Sequence, residues 1–252
     1  MEATDYIFGI RAVIEAIDAG RDIDKVLISK DLNGPLIGEL LEVIKRDHVV
    51  MRRVPVEKIN RITRKNHQGV VAMLSAVTYH KLEHLVPELY EAGRLPFIVV
   101  LDGVTDVRNF GAIARTCECA GVDAIVIGER DSVGVGGDAV KTSAGALHHI
   151  PVCRERDIAW AVRFLKDNGI QVVAASEKAT VDYTQGSYDA PVAIVMGAED
   201  TGVSQNVLRL CDTQVAIPIL GKIQSLNVSV AAGVMIYEVV RQRLNEGKND
   251  AR

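Results

Sequence analysis

The chain has 252 residues, 48% hydrophobic and 25% charged, with a formal net charge of −4. That suffices for the core of one large domain or two modest ones, and the charge neither marks a nucleic-acid binder nor excludes one, because basic residues can gather on one face. The opening residues lack signal-peptide order and no run of about 18 apolar residues occurs, so secretion and membrane insertion are disfavoured and a cytoplasmic protein is expected.

The first elements form a small α/β unit over residues 1–77. Residues 9–20 carry Ala12, Val13, Ile14, Ala16 and Ile17 at helical spacing, with Gly20 as the expected C′ residue. KVLIS at 25–29 reads as a strand. Asn33-Gly34-Pro35 then opens a helix with Leu36, Ile37, Leu40, Leu41 and Ile44 on its core face. A strand at 49–54, a short helix after Pro55 and a strand at 69–77 complete the unit. Before that last strand lies Arg61-Ile62-Thr63-Arg64-Lys65-Asn66-His67-Gln68, a loop with no acidic residue. Such a loop is either a solvated turn or a set of phosphate contacts through Arg61, Arg64 and Lys65.

Residues 78–94 are expected to be a linker, mostly a connecting helix interrupted by Pro87 and closed by Arg94-Leu95-Pro96. From residue 95 to 252 the texture is more regular: strands FIVVL (97–101), AIVIG (124–128), IQVVAA (170–175), VAIVMG (192–197) and QVAIPI (214–219), separated by helical segments at 112–120, 156–168 and 204–210. Continuous apolar strands alternating with helices predict an α/β domain with a mostly parallel sheet covered on both faces. A short polar tail follows Leu244.

Ligands of parallel sheets gather at the carboxyl ends of strands. Three strands here run into polar or glycine-rich sequence: Leu101 into DGVTDVRNFGAIART, Val195 into MGAEDTGVS, and Ile217 into PILGKIQSLNVS. In the first, Asn109 is a candidate cap for a helix starting at Gly111, and Arg115 lies about a turn and a half along it. In the second, Gly197 and Gly202 bracket Glu199 and Asp200. In the third, Ser225 is a candidate N-cap whose helix start would offer unpaired N–H groups. The run Gly134-Val135-Gly136-Gly137-Asp138-Ala139 matches a dinucleotide-binding pattern, but it does not follow its strand directly, so an NAD-dependent oxidoreductase is the weaker reading. Cys117, Cys119, Cys153 and Cys211 lack CxxC spacing and sit in apolar sequence. Reduced core thiols are expected, with no metal site.

LDGVTDVRNFGAIART, IVMGAEDTGVS and IPILGKIQSLNVSVAAG closely resemble the three motifs of the SpoU (TrmH) branch of the SPOUT RNA methyltransferases. The N-terminal unit resembles the small substrate-binding domain of ribosomal-RNA ribose methyltransferases. The resemblance implies a trefoil knot, which general rules of chain threading would exclude, and a homodimer packed through the knot region. It implies S-adenosylmethionine held at Gly197, Ile217 and Leu226, with Met196, Ala198 and Ile219 beside them. Its catalytic and target-binding residues correspond to Asn109, Arg115, Glu199, Ser225 and Asn227. Val107 departs from the family pattern, which usually has proline there. The implied reaction is 2′-O-methylation of RNA, a guanosine in large-subunit ribosomal RNA being favoured; a transfer-RNA target and a non-catalytic RNA-binding protein are the alternatives.

Overall fold

The computed structural model describes residues 6–249, with side chains described through residue 245. The outermost residues of the two expected domains, 1–5 and 250–252, lie outside the described range. The chain divides into two compact units, one of residues up to Thr78 together with Gly134–Asp138, the other of Tyr79–Val133 with the residues from Ala139 onward.

The first unit holds β1 (Tyr6–Phe8), α1 (Ile10–Asp18), β2 (Ile23–Ser29), α2 (Pro35–Arg46), β3 (Met51–Val54), α3 (Val56–Asn60) and β4 (Val70–Leu74). Its sheet has the order β1-β4-β2-β3, with only β2 and β3 parallel. The apolar faces of α1 and α2, among them Val13, Ile17, Ile37 and Leu40, close on Val26, Ile28, Val70 and Ala72 of one sheet face. On the other face Ile59 of α3 is buried with Leu27, Val54 and Val71. The strand expected at 69–77 is shorter than its apolar run.

The second unit comprises β5 (Tyr79–His80), α4 (Leu82–Glu91), β6 (Phe97–Asp102), α5 (Val107–Cys119), β7 (Ala124–Gly128), α6 (Gly137–Thr142, whose first residues belong to the other unit), β8 (Val152–Glu155), α7 (Ile158–Asp167), β9 (Gln171–Ala175), β10 (Val181–Asp182), β11 (Val192–Gly197), α8 (Gln205–Leu208), β12 (Thr213–Ala216) and α9 (Val228–Asn249). Its eight strands lie in the order β10-β12-β9-β11-β6-β7-β8-β5, and every pairing is parallel. Neighbours that face opposite sides of it, Val99 and Val100, Ile125 and Val126, Ile194 and Val195, are fully buried, as a sheet covered on both faces requires.

Residues 78–94 are not a free linker helix. Tyr79–His80 extends the sheet beside β8, and Leu82, Leu85, Val86 and Leu89 of α4 lie in the core of the large unit. Pro87 does not interrupt α4 but sits inside it. It is exposed, as is Glu83, whose carbonyl its missing N–H leaves without a helical partner, so that carbonyl faces solvent and the usual penalty is softened. The expected tail after Leu244 is likewise helical, since α9 continues to Asn249.

Helix α9 packs on α5 and β11 and is fastened at its far end by Arg243. That guanidinium donates to the carbonyls of Leu95, Pro96, Tyr188 and Ala190 at 3.1, 3.2, 3.2 and 2.9 Å and lies 5.2 Å from the Phe97 ring. Four carbonyl acceptors and an aromatic face surround the planar cation, with the Asp123 and Asp189 carboxylates near enough to favour its charge.

Candidate active site

The carboxyl ends of β6, β9, β11 and β12 fall on one edge of the parallel sheet, and the three motif loops leave from there. Helix α5 is capped by Asp106, whose Oδ1 accepts the N–H groups of Arg108 and Asn109 at 2.9 Å each. Asn109 is therefore not the cap, and the helix starts at Val107 rather than Gly111. Relieved of capping, the Asn109 side chain points to other loops. Gly111 follows because a Cβ there would stand 2.6 Å from the Thr142 Cβ and 2.8 Å from its carbonyl carbon.

After β11 the chain folds tightly back: Ala198 and Gly202 exchange backbone hydrogen bonds of 3.1 and 2.9 Å, and Ser204 N–H donates to Asp102 Oδ2 at 2.7 Å. Gly197 is required by this closure. A Cβ on it would overlap the backbone of Gly202 and Val203, so this glycine lets the chain's own backbone close against it. The loop holds Glu199 outward.

The third loop, residues 217–227, is not helical. Helix α9 begins at Val228, and its cap is Asn227, not Ser225: Asn227 Oδ1 accepts from Ser229 N–H at 2.9 Å and from Ser229 Oγ at 2.6 Å. The other end of the same amide reaches across, Nδ2 donating to Asn109 Oδ1 at 3.0 Å and to Glu199 Oε1 at 3.3 Å. Asn109 Nδ2 donates to Glu199 Oε2 at 3.1 Å. Both carboxylate oxygens of Glu199 are thus held by neutral amides, which fix its direction and leave its charge uncancelled.

Arg115 is exposed on α5 and, among the described residues, makes no hydrogen bond or ion pair. Six residues at about 100° each place it roughly 120° around the helix from Asn109, so it does not join the amide–carboxylate cluster and Glu199 does not hold it. Ser225 lies on the groove beside the cluster.

That groove encloses about 100 Å³. It is lined by Met196, Gly197 and Ala198 from the end of β11, and by Ile217, Ile219 and Leu226 from the loop after β12. Glu199 and Ser225 stand on it as well. Its walls are apolar side chains and loop backbone, and Ile219 and Leu226 are each left 38% exposed. Sequence reading passed over Ala175, Ser176 and Glu177, which line the groove from the end of β9. The available signal was a fourth strand running into polar sequence. The rejected glycine run 134–139 is not a phosphate loop: Val135 accepts from Ala76 N–H at 2.7 Å, and Gly137 begins α6.

The basic loop of the first unit leaves Arg61, Arg64 and Lys65 exposed. Its shape is set by His67, whose Nδ1 accepts from Gly69 N–H at 2.9 Å, so that Nε2 carries the hydrogen directed at Asn60 Oδ1 at 2.8 Å. Among the described residues no group of His, Cys, Asp and Glu could hold a metal ion, and no helix is long and apolar enough to cross a membrane.

Comparison with known proteins agrees with this arrangement. Residues 96–237 match the model of the SpoU rRNA Methylase family, and residues 6–80 match that of the RNA 2′-O ribose methyltransferase substrate binding domain. A Staphylococcus aureus protein named as a TrmH family tRNA/rRNA methyltransferase is 37% identical over 248 residues, covering 98% of this chain and 100% of that one. The structure of an AdoMet-bound rRNA methyltransferase from Sinorhizobium meliloti superposes with a TM-score of 0.60 at 28% identity, over 94% of this chain and 86% of that one. That of a TrmH/SpoU tRNA modifying enzyme from A. aeolicus gives 0.56 at 29% identity, over 65% and 86%. With a parallel sheet, three motif loops meeting at its carboxyl edge and a matching N-terminal unit, the chain belongs to the SpoU rRNA methylase family of RNA methyltransferases.

Proposed function

We propose that this protein transfers a methyl group from S-adenosylmethionine to the ribose 2′-hydroxyl of a guanosine in large-subunit ribosomal RNA. The observation that carries the reading is the Asn109–Glu199–Asn227 cluster on the rim of an apolar groove at the strand ends. The groove fits the cofactor chemically: apolar side chains for a flat purine, backbone groups of two loops for its edge, and no fixed cation to repel a sulfonium. Met196, Gly197, Ala198, Ile217, Ile219 and Leu226 would hold it. S-adenosylmethionine supplies an electrophilic methyl group, which leaves the chain to align the acceptor and help it lose a proton.

Within that division, Asn109 and Asn227 fix the Glu199 carboxylate to accept a hydrogen bond from the target nucleotide, and Ser225 orients the ribose. The Arg115 guanidinium would donate to the 2′-oxygen and stabilise the negative charge that develops there as its proton leaves to solvent. A donor used mainly in the transition state is worth roughly 10²–10³ in rate. Arg115→Ala should therefore lose about that much single-turnover transfer with cofactor affinity unchanged, and Arg115→Lys should recover only part.

The small unit, residues 1–77, is the RNA-binding domain, and 95–252 is the methyltransferase domain, to which 78–94 adds an edge strand and a covering helix. Neutralising Arg61, Arg64 and Lys65 together should weaken RNA binding and flatten its salt dependence, because fewer counterions are released. The catalytic domain is threaded as a trefoil knot. In support, β12 lies outside β9 although β11 was added between them in the chain, and α9 returns onto α5. It pairs with a second copy through this region. Val230, Tyr237 and Leu244 repeat every seven residues on α9 at 53%, 51% and 63% exposure, and Leu220 and Ile223 are exposed in the loop before it; the helix carries an apolar seam of the kind helices bury on one another. The enzyme acts in the cytoplasm, where ribosomal RNA is made accessible to it.

The deciding experiment is nucleoside mass spectrometry of ribosomal and transfer RNA transcripts incubated with the protein and S-adenosylmethionine. A methylated ribose in one guanosine of the large ribosomal transcript, absent when that nucleotide is 2′-deoxy, is the expected result. Methylation of a base overturns the acceptor assignment, and methylation of transfer RNA alone overturns the substrate.

A further inference from the structure

We propose that one face of the four-stranded sheet in the N-terminal unit is a stacking platform for the bases of a single-stranded RNA segment, with Tyr6 and Phe8 as its ring surfaces. The proposal rests on the RNA methyltransferase reading and assigns residues that reading does not use. Alternation along β1 puts Tyr6 and Phe8 on the same face. Register then carries the row from Tyr6 to Met73 and Lys25, and from Phe8 to Val71, Leu27 and Arg52. Helix α3 buries Leu27, Val54 and Val71 under Ile59, whereas Tyr6, Phe8 and Met73 at the sheet's edge are only partly buried. The two rings lie 6.3 Å apart, inclined at 43°.

Charge selects the occupant. Lys65 Nζ stands 5.7 Å from the centre of the Phe8 ring, and the loop that carries it presents Arg61 and Arg64 with no acidic residue. Arg52 is exposed on the same face. The carboxylate beside Lys25, Asp24 at 3.3 Å, has a side chain only 5% exposed. Partly exposed rings bordered by cations suit unstacked bases with a phosphate backbone running past them. A duplex does not fit, because its bases are already stacked and its A-form grooves do not admit rings.

The test uses the full chain and a short single-stranded oligoribonucleotide carrying one 2-aminopurine, whose emission is quenched when the base stacks on an aromatic ring. Removing both rings with Tyr6→Leu/Phe8→Leu should weaken binding by about 5- to 150-fold per ring and restore the emission of the bound oligonucleotide. Phe8→Tyr keeps a ring and should keep both properties. The triple variant Arg61→Gln/Arg64→Gln/Lys65→Gln should lose affinity and salt dependence while emission in the saturated complex stays quenched. Should the double variant not fold, the single variants Tyr6→Leu and Phe8→Leu make the same comparison. Unchanged affinity and quenching in the leucine variants overturn the platform, as does binding of the same sequence equally well as a duplex. If the leucine variants change nothing while the triple variant binds weakly, the platform fails and the RNA-binding role of the unit stands; if neither changes, both fail.

Discussion

Asn227 performs two jobs that can be separated by one substitution. Its Oδ1 caps α9 and its Nδ2 ties Asn109 to Glu199. Serine caps helices about as well as asparagine, whereas alanine at a cap costs roughly 0.5–2 kcal/mol. Serine's side chain is one amide shorter, so Asn227→Ser retains the bond to Ser229 N–H and loses the 3.0 and 3.3 Å links to Asn109 and Glu199. Exposed hydrogen bonds of this kind contribute about 0.5–1.5 kcal/mol each at most, and Asn227 is on the surface, so stability should fall by less than about 1 kcal/mol in Ser and by about 1 kcal/mol more in Ala. Activity should respond differently. Glu199 would keep one of its two amide anchors, and a misplacement of about 1 Å in a reacting group costs on the order of 10²-fold. The measurements are urea unfolding for stability and single-turnover transfer of labelled methyl to unmodified RNA transcripts. Both variants should be slowed about 10²-fold, with Ser within about 1 kcal/mol of the parent in stability. If Asn227→Ser transfers at the parental rate, the amide–carboxylate cluster is a structural cap and its place in the mechanism is withdrawn.

Gly197→Ala forces a Cβ onto the backbone of Gly202 and Val203; overpacking of this sort costs about 1–3 kcal/mol, and because the displaced loop carries Glu199, urea unfolding and transfer assays should both show a loss. Burial raises the pKa of Glu155 above its ordinary value of 4.5, so its contribution to stability is present below that value and is lost as pH rises through the folded one. Glu155→Gln, which keeps an acceptor for Leu82 N–H, should therefore gain on the parent as pH rises above 4.5, and parallel stability curves would refute this. Burial drives the Cys153 and Cys211 thiols up to about 12 and raises that of Cys117 as well, while Cys119 is exposed. Alkylation of the folded protein at mild pH, read by peptide mass spectrometry, should modify Cys119 first and Cys117 and Cys153 only in denaturant.

The long apolar strands were legible because burial on both faces leaves no polar position in them, as in Ile125, Val126 and Ile127. Strands β1, β5 and β10 have two or three residues each, too few for any period to show. Helix starts were misplaced by a few residues at the site itself. Asp106 and Asn109 are both good cap types, as are Ser225 and Asn227, and without a proline at Val107 nothing local decides between them. Tertiary demand decided: at α5 the side chain freed from capping, Asn109, crosses to another loop, and at α9 the one amide of Asn227 both caps and crosses. The residues of the cluster could be named from their motifs, but partners 90 and 118 positions apart leave no trace in local pattern. The α4 helix was misjudged for a related reason, since Leu82, Leu85, Val86 and Leu89 have the same spacing whether the face they form covers a sheet or a neighbouring helix.

The order of the strands along the chain bears on how the protein comes into being. Strand β12 fits between β9 and β10, both synthesised earlier, and α9, whose cap supplies Asn227, is later still. Until residues 213–228 have been made, β9 lacks one neighbour, Glu199 lacks one of its amides and the groove lacks the wall that Ile217, Ile219 and Leu226 provide. The N-terminal unit, by contrast, draws its strands almost entirely from the first third of the chain. A nascent polypeptide can therefore complete the four-stranded sheet of its N-terminal unit well before the groove has its second wall, and a chain cut short after β11 would keep the part that matches the substrate-binding family while lacking Ile217, Ile219 and Leu226.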